Sequence, residues 1–121
     1  MGKINKINKY VQQGKAASLR IFAIYERDKH IRMAAIDGLG KIVQQEDSEN
    51  ALLALLMEHD PDIRAAAAAA IGNAGSEYAQ VQMSYFSKNE RNETVLSAAR
   101  SSLAKLSETV RMHSLEQACE N

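Results

Sequence analysis

Tryptophan is absent from this chain of 121 residues, and only 5% of its residues are aromatic. It contains a single proline, Pro61, and a single cysteine, Cys119. One cysteine excludes an internal disulfide, and a lone thiol fits a reducing compartment, so we expect a cytoplasmic protein. The longest apolar run, from Ala65 to Ile71, is far shorter than the roughly 20 residues of a membrane-spanning helix. The sequence therefore predicts no membrane segment.

An excess of either charge is also missing, because 15 basic residues balance 15 acidic ones. Phosphate neutralisation needs a basic excess on one face, so we do not expect a nucleic-acid-binding protein. The charges are nevertheless uneven: residues 1–27 carry six bases against one acid, and residues 28–62 carry three against eight. The basic residues Lys3, Lys6, Lys9, Lys15 and Arg20 form an N-terminal arm that could meet nucleic acid or an acidic partner. A solvated helix face, or self-association with the acidic middle, also explains this arm.

What the chain does contain is an internal repeat with a period of 32 residues. Residues 28–40 and 60–72 coincide at the Asp, Ile and Arg, at two Ala positions and at the final Gly. A third copy is degenerate but in phase, with Val95 at the position of Ile63. In that copy Asn92 replaces the Asp and Leu96 replaces the Arg.

The repeated residues have a direct structural interpretation. Asp28 and Asp60 lie where N-caps belong, and Pro61 suits the first helical position because its missing N–H costs nothing there. Apolar residues then follow at helical spacing and predict one buried stripe per helix: Ile31, Ala35, Leu39 and Ile42, and then Ile63, Ala67, Ile71 and Ala74. Small residues in each copy, Ala35, Ala67 and Ala99, would let neighbouring helices approach closely. Gly75 is the expected C-cap that ends the second of these helices.

Good helix formers dominate the composition, so we predict an all-α chain. The expected helices lie near residues 3–13, 15–26, 29–44, 48–58, 61–74, 77–87, 91–106 and 108–119. Their short connections favour antiparallel neighbours. We therefore predict one domain over 1–121, with repeats at 15–44, 48–75 and 77–106 and capping helices at 3–13 and 108–119.

The pattern D-x-x-[IV]-R-x-A-A-x-x-[AG]-[LI]-G, preceded by a Leu-rich helix, resembles the HEAT-like repeats of the short kind found in phycocyanin lyase subunits. The resemblance covers roughly residues 15–106. It implies a right-handed α-α superhelix in which Asp28, Arg32, Asp60 and Arg64 make structural bonds between adjacent repeats. It also implies that the second helix of each pair lines a concave, partner-binding side.

On that basis the residues opposite the buried stripe form three rows across the repeats. They are Met33, Ala65 and Ser97, then Asp37, Ala69 and Ser101, then Lys41, Asn73 and Lys105. The alanine-rich middle of this surface favours a closely packed partner such as a helix, although alanine also serves helix propensity and tight stacking. We therefore predict a non-catalytic interaction or scaffold module for a protein or peptide partner.

Catalytic and cofactor motifs are missing from the sequence. His59, Asp60 and Asp62 gather potential metal ligands in one turn, but Asp60 already has a capping role and no second cluster completes a site. No basic cluster near Cys119 would activate its thiol. We expect no cofactor and no metal. The resemblance leaves open an accessory subunit of a bilin-lyase-like enzyme or a nucleic-acid-binding relative, and the amphipathic terminal helices leave open a homodimer.

Overall fold

The computed structural model describes residues 2–120, which contain seven α-helices and no β-strand. The helices are α1 (Gly2–Gln13), α2 (Ala16–Tyr25), α3 (Lys29–Lys41), α4 (Glu46–Leu55), α5 (Pro61–Ile71), α6 (Glu77–Asn89) and α7 (Glu93–Glu120). The predicted all-α repeat fold is thereby confirmed. Links of two to five residues join the successive helices, as expected for helices that turn back on one another.

The helices pack in pairs, α2 with α3, α4 with α5, and α6 with α7. The second helices of the pairs lie side by side, α3 against α5 and α5 against α7, and α1 packs against the free side of α3. The first helices form the other layer, in which α4 contacts both α2 and α6. One layer therefore consists of α1, α3, α5 and α7, and the other of α2, α4 and α6.

Side-chain caps start the second helix of every pair. The Asp28 carboxylate accepts from the His30 amide at 2.9 Å, and the Asp60 carboxylate accepts from the Asp62 amide at 2.9 Å. Asn92 takes the same role before α7, where its side-chain oxygen accepts from Thr94 at 3.0 Å and Val95 at 3.2 Å. The third copy thus keeps the capping chemistry of the other two although its residue differs.

Small residues at repeated positions set the distance between helices. Ala35, Ala67 and Ala99 are fully buried, which confirms their predicted role in close packing. A Cβ at Gly72 would lie only 2.7 Å from Ser102 Oγ, so α5 and α7 approach more closely than a side chain at this position allows. Ser102 is itself buried, and its hydroxyl donates to the Ala68 carbonyl at 2.5 Å.

Two sequence predictions about helix ends are wrong. A separate capping helix at 108–119 does not exist, because α7 continues without a break from Glu93 to Glu120. Its sequence from 93 to 120 contains neither glycine nor proline, so nothing stops the helix near Ser107. Gly75 is not a C-cap either, since α5 ends at Ile71 with Gly72 as its cap. Gly75 lies in the link that follows, next to the His113 side chain of α7.

Candidate functional site

Two arginines fasten each helix pair to the next. Arg32 donates through Nε to the Ala23 carbonyl of its own pair at 2.7 Å, and through Nη2 to Glu58 of the following pair. Arg64 repeats the arrangement one period later, with its Nη1 2.8 Å from the His59 carbonyl. Its Nε and Nη2 donate to the two Glu90 carboxylate oxygens at 2.9 and 3.1 Å.

The glutamates that receive these arginines were missed by the sequence interpretation. They recur 32 residues apart at Glu26, Glu58 and Glu90, two residues before each capping position, so the repeat itself could have revealed them. Glu26 has no preceding pair, and Lys3 of α1 takes the place of the arginine at 2.9 Å. At the other end Leu96 occupies the arginine position. We call the three pairs Lys3–Glu26, Arg32–Glu58 and Arg64–Glu90 the Arg–Glu ladder; it begins at α1 and ends at α7.

Ionisation of the ladder glutamates follows from these contacts. The hydrogen bond from Lys3 holds the pKa of Glu26 below its usual value. Burial opposes ionisation of Glu90, but hydrogen bonds from Arg64 and from the Asn92 amide outweigh it and leave the Glu90 pKa lowered. Both carboxylates are thus charged at neutral pH and act as fixed acceptors.

A second contact between pairs surrounds the Asp60 cap. Lys29, at the start of α3, lies 2.9 Å from Asp60 and 2.5 Å from Asp62 at the start of α5. This cation lowers the pKa of Asp60, and the two carboxylates raise the pKa of Lys29. The ligand-like turn from His59 to Asp62 is therefore occupied by capping and ion pairing.

The nine residues predicted to bind a partner lie on α3, α5 and α7, except Asn73, which lies in the turn after α5. Seven of them are exposed, whereas Met33 and Ala65 are half-buried. The third row contains the direct contacts: Lys105 donates to the Asn73 side chain at 2.9 Å, and Asn73 reaches the Gly40 carbonyl at 3.4 Å. Lys41 instead pairs within its own helix, 3.5 Å from Asp37. No hydrogen bond links the first two rows across helices in the described part of the chain.

A cleft with a volume of about 580 Å³ lies elsewhere, between the carboxyl ends of α4 and α6. Apolar side chains line it, among them Leu53, Met57, Tyr85 and Phe86, and the Arg64–Glu90 pair borders it. Met57 and Tyr85 are 83% and 70% exposed. Such a cleft can accept an apolar side chain. No sequence pattern indicated this cleft, because it forms only where α4 and α6 meet.

The N-terminal basic arm is partly engaged within the molecule. Lys3 pairs with Glu26, and the Lys15 ammonium lies 6.0 Å from the centre of the Tyr10 ring. Arg20 borders a small cleft beside Asp47. Lys6 and Lys9 remain as exposed cations on α1.

Residues 2–120 show no grouping of three or more His, Cys, Asp or Glu side chains able to hold a metal ion. Cys119 is an exposed free thiol. Over the same residues, no helix is both long enough and apolar enough to cross a membrane.

Comparison with known families gives one match. A family model described as HEAT repeats matches residues 16–104, which is well over half of the chain. It spans the three helix pairs and excludes α1 and the distal part of α7. No curated protein and no solved structure matches the chain.

Proposed function

The chain belongs to the HEAT-repeat family, and we propose that it is an interaction module that holds a protein or peptide partner on the exposed face of α3, α5 and α7. HEAT repeats generally mediate protein–protein interaction or scaffolding, and their solenoids are typically non-catalytic. The proposed repeats run over 15–44, 48–75 and 77–106 within one domain. The exposed lone thiol of Cys119 supports a cytoplasmic location as part of the proposal.

The observation that carries the proposal is the composition of this face. Its middle presents Ala69 and Ser101, both exposed, on helices that already lie close together. Short side chains let another helix approach with little conformational entropy to lose, so a partner helix can pack against this face. Lys41 and Lys105 stand at one edge of the face and can orient an acidic group of the partner.

Charge and bulk at this face should remove binding without disturbing the fold. Affinity capture from the source cell with wild-type protein should recover a specific partner. We expect Ala69→Arg combined with Lys41→Glu to abolish its capture, because the long arginine side chain prevents close approach to the face and one orienting charge is reversed. The helical circular-dichroism spectrum should stay unchanged, since both residues are exposed.

A matched control places the same changes on other exposed positions. Ala54→Arg on α4 combined with Lys9→Glu on α1 alters the same residue types outside the α3, α5 and α7 face. This control should retain capture. Equal capture by both double variants would show that the partner binds elsewhere, and equal loss would show a nonspecific effect of charge.

A further inference from the structure

The junction between the second and third helix pairs identifies which side of a pair receives the next one. Glu49 of α4 accepts from Ser76 of the third pair at 2.6 Å. Gly72 and Ala68 of α5 meet Ser102 of α7. Leu53 of α4 and Leu56, the C-cap of that helix, line the 580 Å³ cleft beside α6. Leu56, Ala68 and Gly72 are buried by this stacking.

Adding the repeat period of 32 to the numbers of these residues of the second pair gives the equivalent positions of the third pair. The resulting set, which we call the terminal face, consists of Val81, Tyr85, Lys88, Arg100 and Ala104. All five are exposed: Val81 is 62% exposed, and Tyr85, which stands at the border between this face and the cleft beside α4, is 70% exposed. No helix of residues 2–120 covers this face, and residues 111–119 at the end of α7 are all exposed.

At the opposite end of the molecule, by contrast, a helix covers the stack. There α1 takes the place of a preceding pair, so that a Cβ at Gly38 would lie 2.9 Å from the Val11 side chain. Lys3 of the same helix completes the first step of the ladder by pairing with Glu26. The family match stops short of α1, and this helix packs on α3 and covers this end of the stack. The chain has a cap at one end and an open stacking surface at the other.

The charges on the terminal face indicate which kind of partner can bind there. Lys88 and Arg100 stand where the second pair has buried Leu56 and Ala68, and neither forms an ion pair with any described residue. By the same register Glu93 lies at the edge of the face, at the position from which Lys29 reaches the next pair. The face thus combines two exposed apolar side chains with two unpaired cations.

We propose that the terminal face binds an amphipathic helix of a partner protein whose apolar stripe is flanked by carboxylates. Such a helix would take the place of a fourth pair, cover Val81 and Tyr85, and pair with Lys88 and Arg100. A second copy of this chain fits poorly. Two terminal faces together would oppose cations, and stacking onto the α1 end would meet the exposed Lys6 and Lys9. The face is separate from the α3, α5 and α7 surface and does not depend on the function proposed for it.

The test uses two designed helical peptides of about 20 residues, long enough to hold helical structure. Both carry one leucine stripe; the first is flanked by glutamates and the second by lysines. Fluorescence anisotropy with the full chain should show the acidic peptide binding about tenfold or more tightly than the basic one, less so at high salt. Lys88→Glu combined with Arg100→Glu should invert that preference, and Tyr85→Ser should weaken both peptides.

Controls and mapping separate this surface from general charge effects. Lys9→Glu combined with Arg27→Glu changes two exposed cations of the same types outside the face and should leave the preference unchanged. Amide chemical shifts of wild-type protein should move at Val81, Tyr85 and Arg100 when the acidic peptide is added. Absent binding, equal affinity for both peptides, or shifts confined to α3 and α5 would each overturn the proposal. So would a wild-type dimer that Lys88→Glu with Arg100→Glu dissociates, since the face would then belong to a second copy.

Discussion

Removal of the Glu90 carboxylate tests whether the Arg–Glu ladder holds the helix pairs together. Glu90→Ala deletes two charge-assisted hydrogen bonds from Arg64 and two from the Arg91 and Asn92 amides, at 3.1 and 3.0 Å. Hydrogen bonds to charged groups contribute about 1.5–3 kcal/mol each. Arg64 keeps 20% of its side chain exposed, so water offsets part of the loss, and we expect about 3 kcal/mol of destabilisation in total.

An exposed ion pair in the same chain provides the comparison. Arg111 lies 2.9 Å from Glu108 on α7, with both side chains more than 60% exposed. Glu108→Ala should therefore cost less than about 0.5 kcal/mol. Urea unfolding followed by circular dichroism measures both free energies, and each variant should keep the wild-type m-value.

A double-mutant cycle isolates the contact itself. Arg64→Leu installs the residue type that the third copy has naturally at Leu96, and its combination with Glu90→Ala should show a coupling energy of about 2 kcal/mol. If Glu90→Ala costs no more than Glu108→Ala, or if the coupling energy is near zero, the ladder does not fasten the pairs and the reasoning fails.

Two further predictions concern pH and packing. The pKa of Glu90 is lowered in the folded state, so the contribution of this carboxylate to stability is present above the usual pKa near 4.5 and is lost as the pH falls through the folded value. Urea titrations from about pH 5 to pH 3 should therefore show that the stability difference between wild type and Glu90→Gln shrinks. A difference that stays constant with pH would contradict this sign. Gly72→Ala should destabilise the protein by about 1–3 kcal/mol because the new Cβ would press on Ser102. Gly2→Ala, where a Cβ meets nothing within 4 Å, should be neutral or slightly stabilising, and equal thermal midpoints for the two variants would argue against close α5–α7 packing.

The stacking of the helices was predictable from sequence because the residues that build it repeat. Ile63, Ala67 and Ile71 recur at helical spacing, and all are fully buried. The Asp caps are equally local, since an N-cap bonds only two or three residues ahead. The glutamate ladder was missed because each Glu precedes the recognised motif and its partner lies 26 residues before it.

Other features depend on how the elements meet in space. Gly72, which directly follows the last residue of α5, lies close to Ser102, and that contact joins residues 30 positions apart. The sequence prediction divided α7 into two helices because it assumed regular helix pairs. The helix is continuous, since Ser107 does not end it. The open terminal face appears only after the register between the pairs is known.

The ladder also gives the stack of helix pairs a direction. Each arginine donates forward, from one pair to the glutamate of the next, so a pair without that arginine lacks this ionic contact with a successor. Leu96 removes the donor in the third pair, while Lys88 and Arg100 place charge where the preceding pair buries Leu56 and Ala68. A fourth pair of the same sequence would have to bury both cations unpaired, which costs several kcal/mol. These residues make the stacking of a further pair of this kind unfavourable, and in our proposal they favour a carboxylate-bearing partner on this surface.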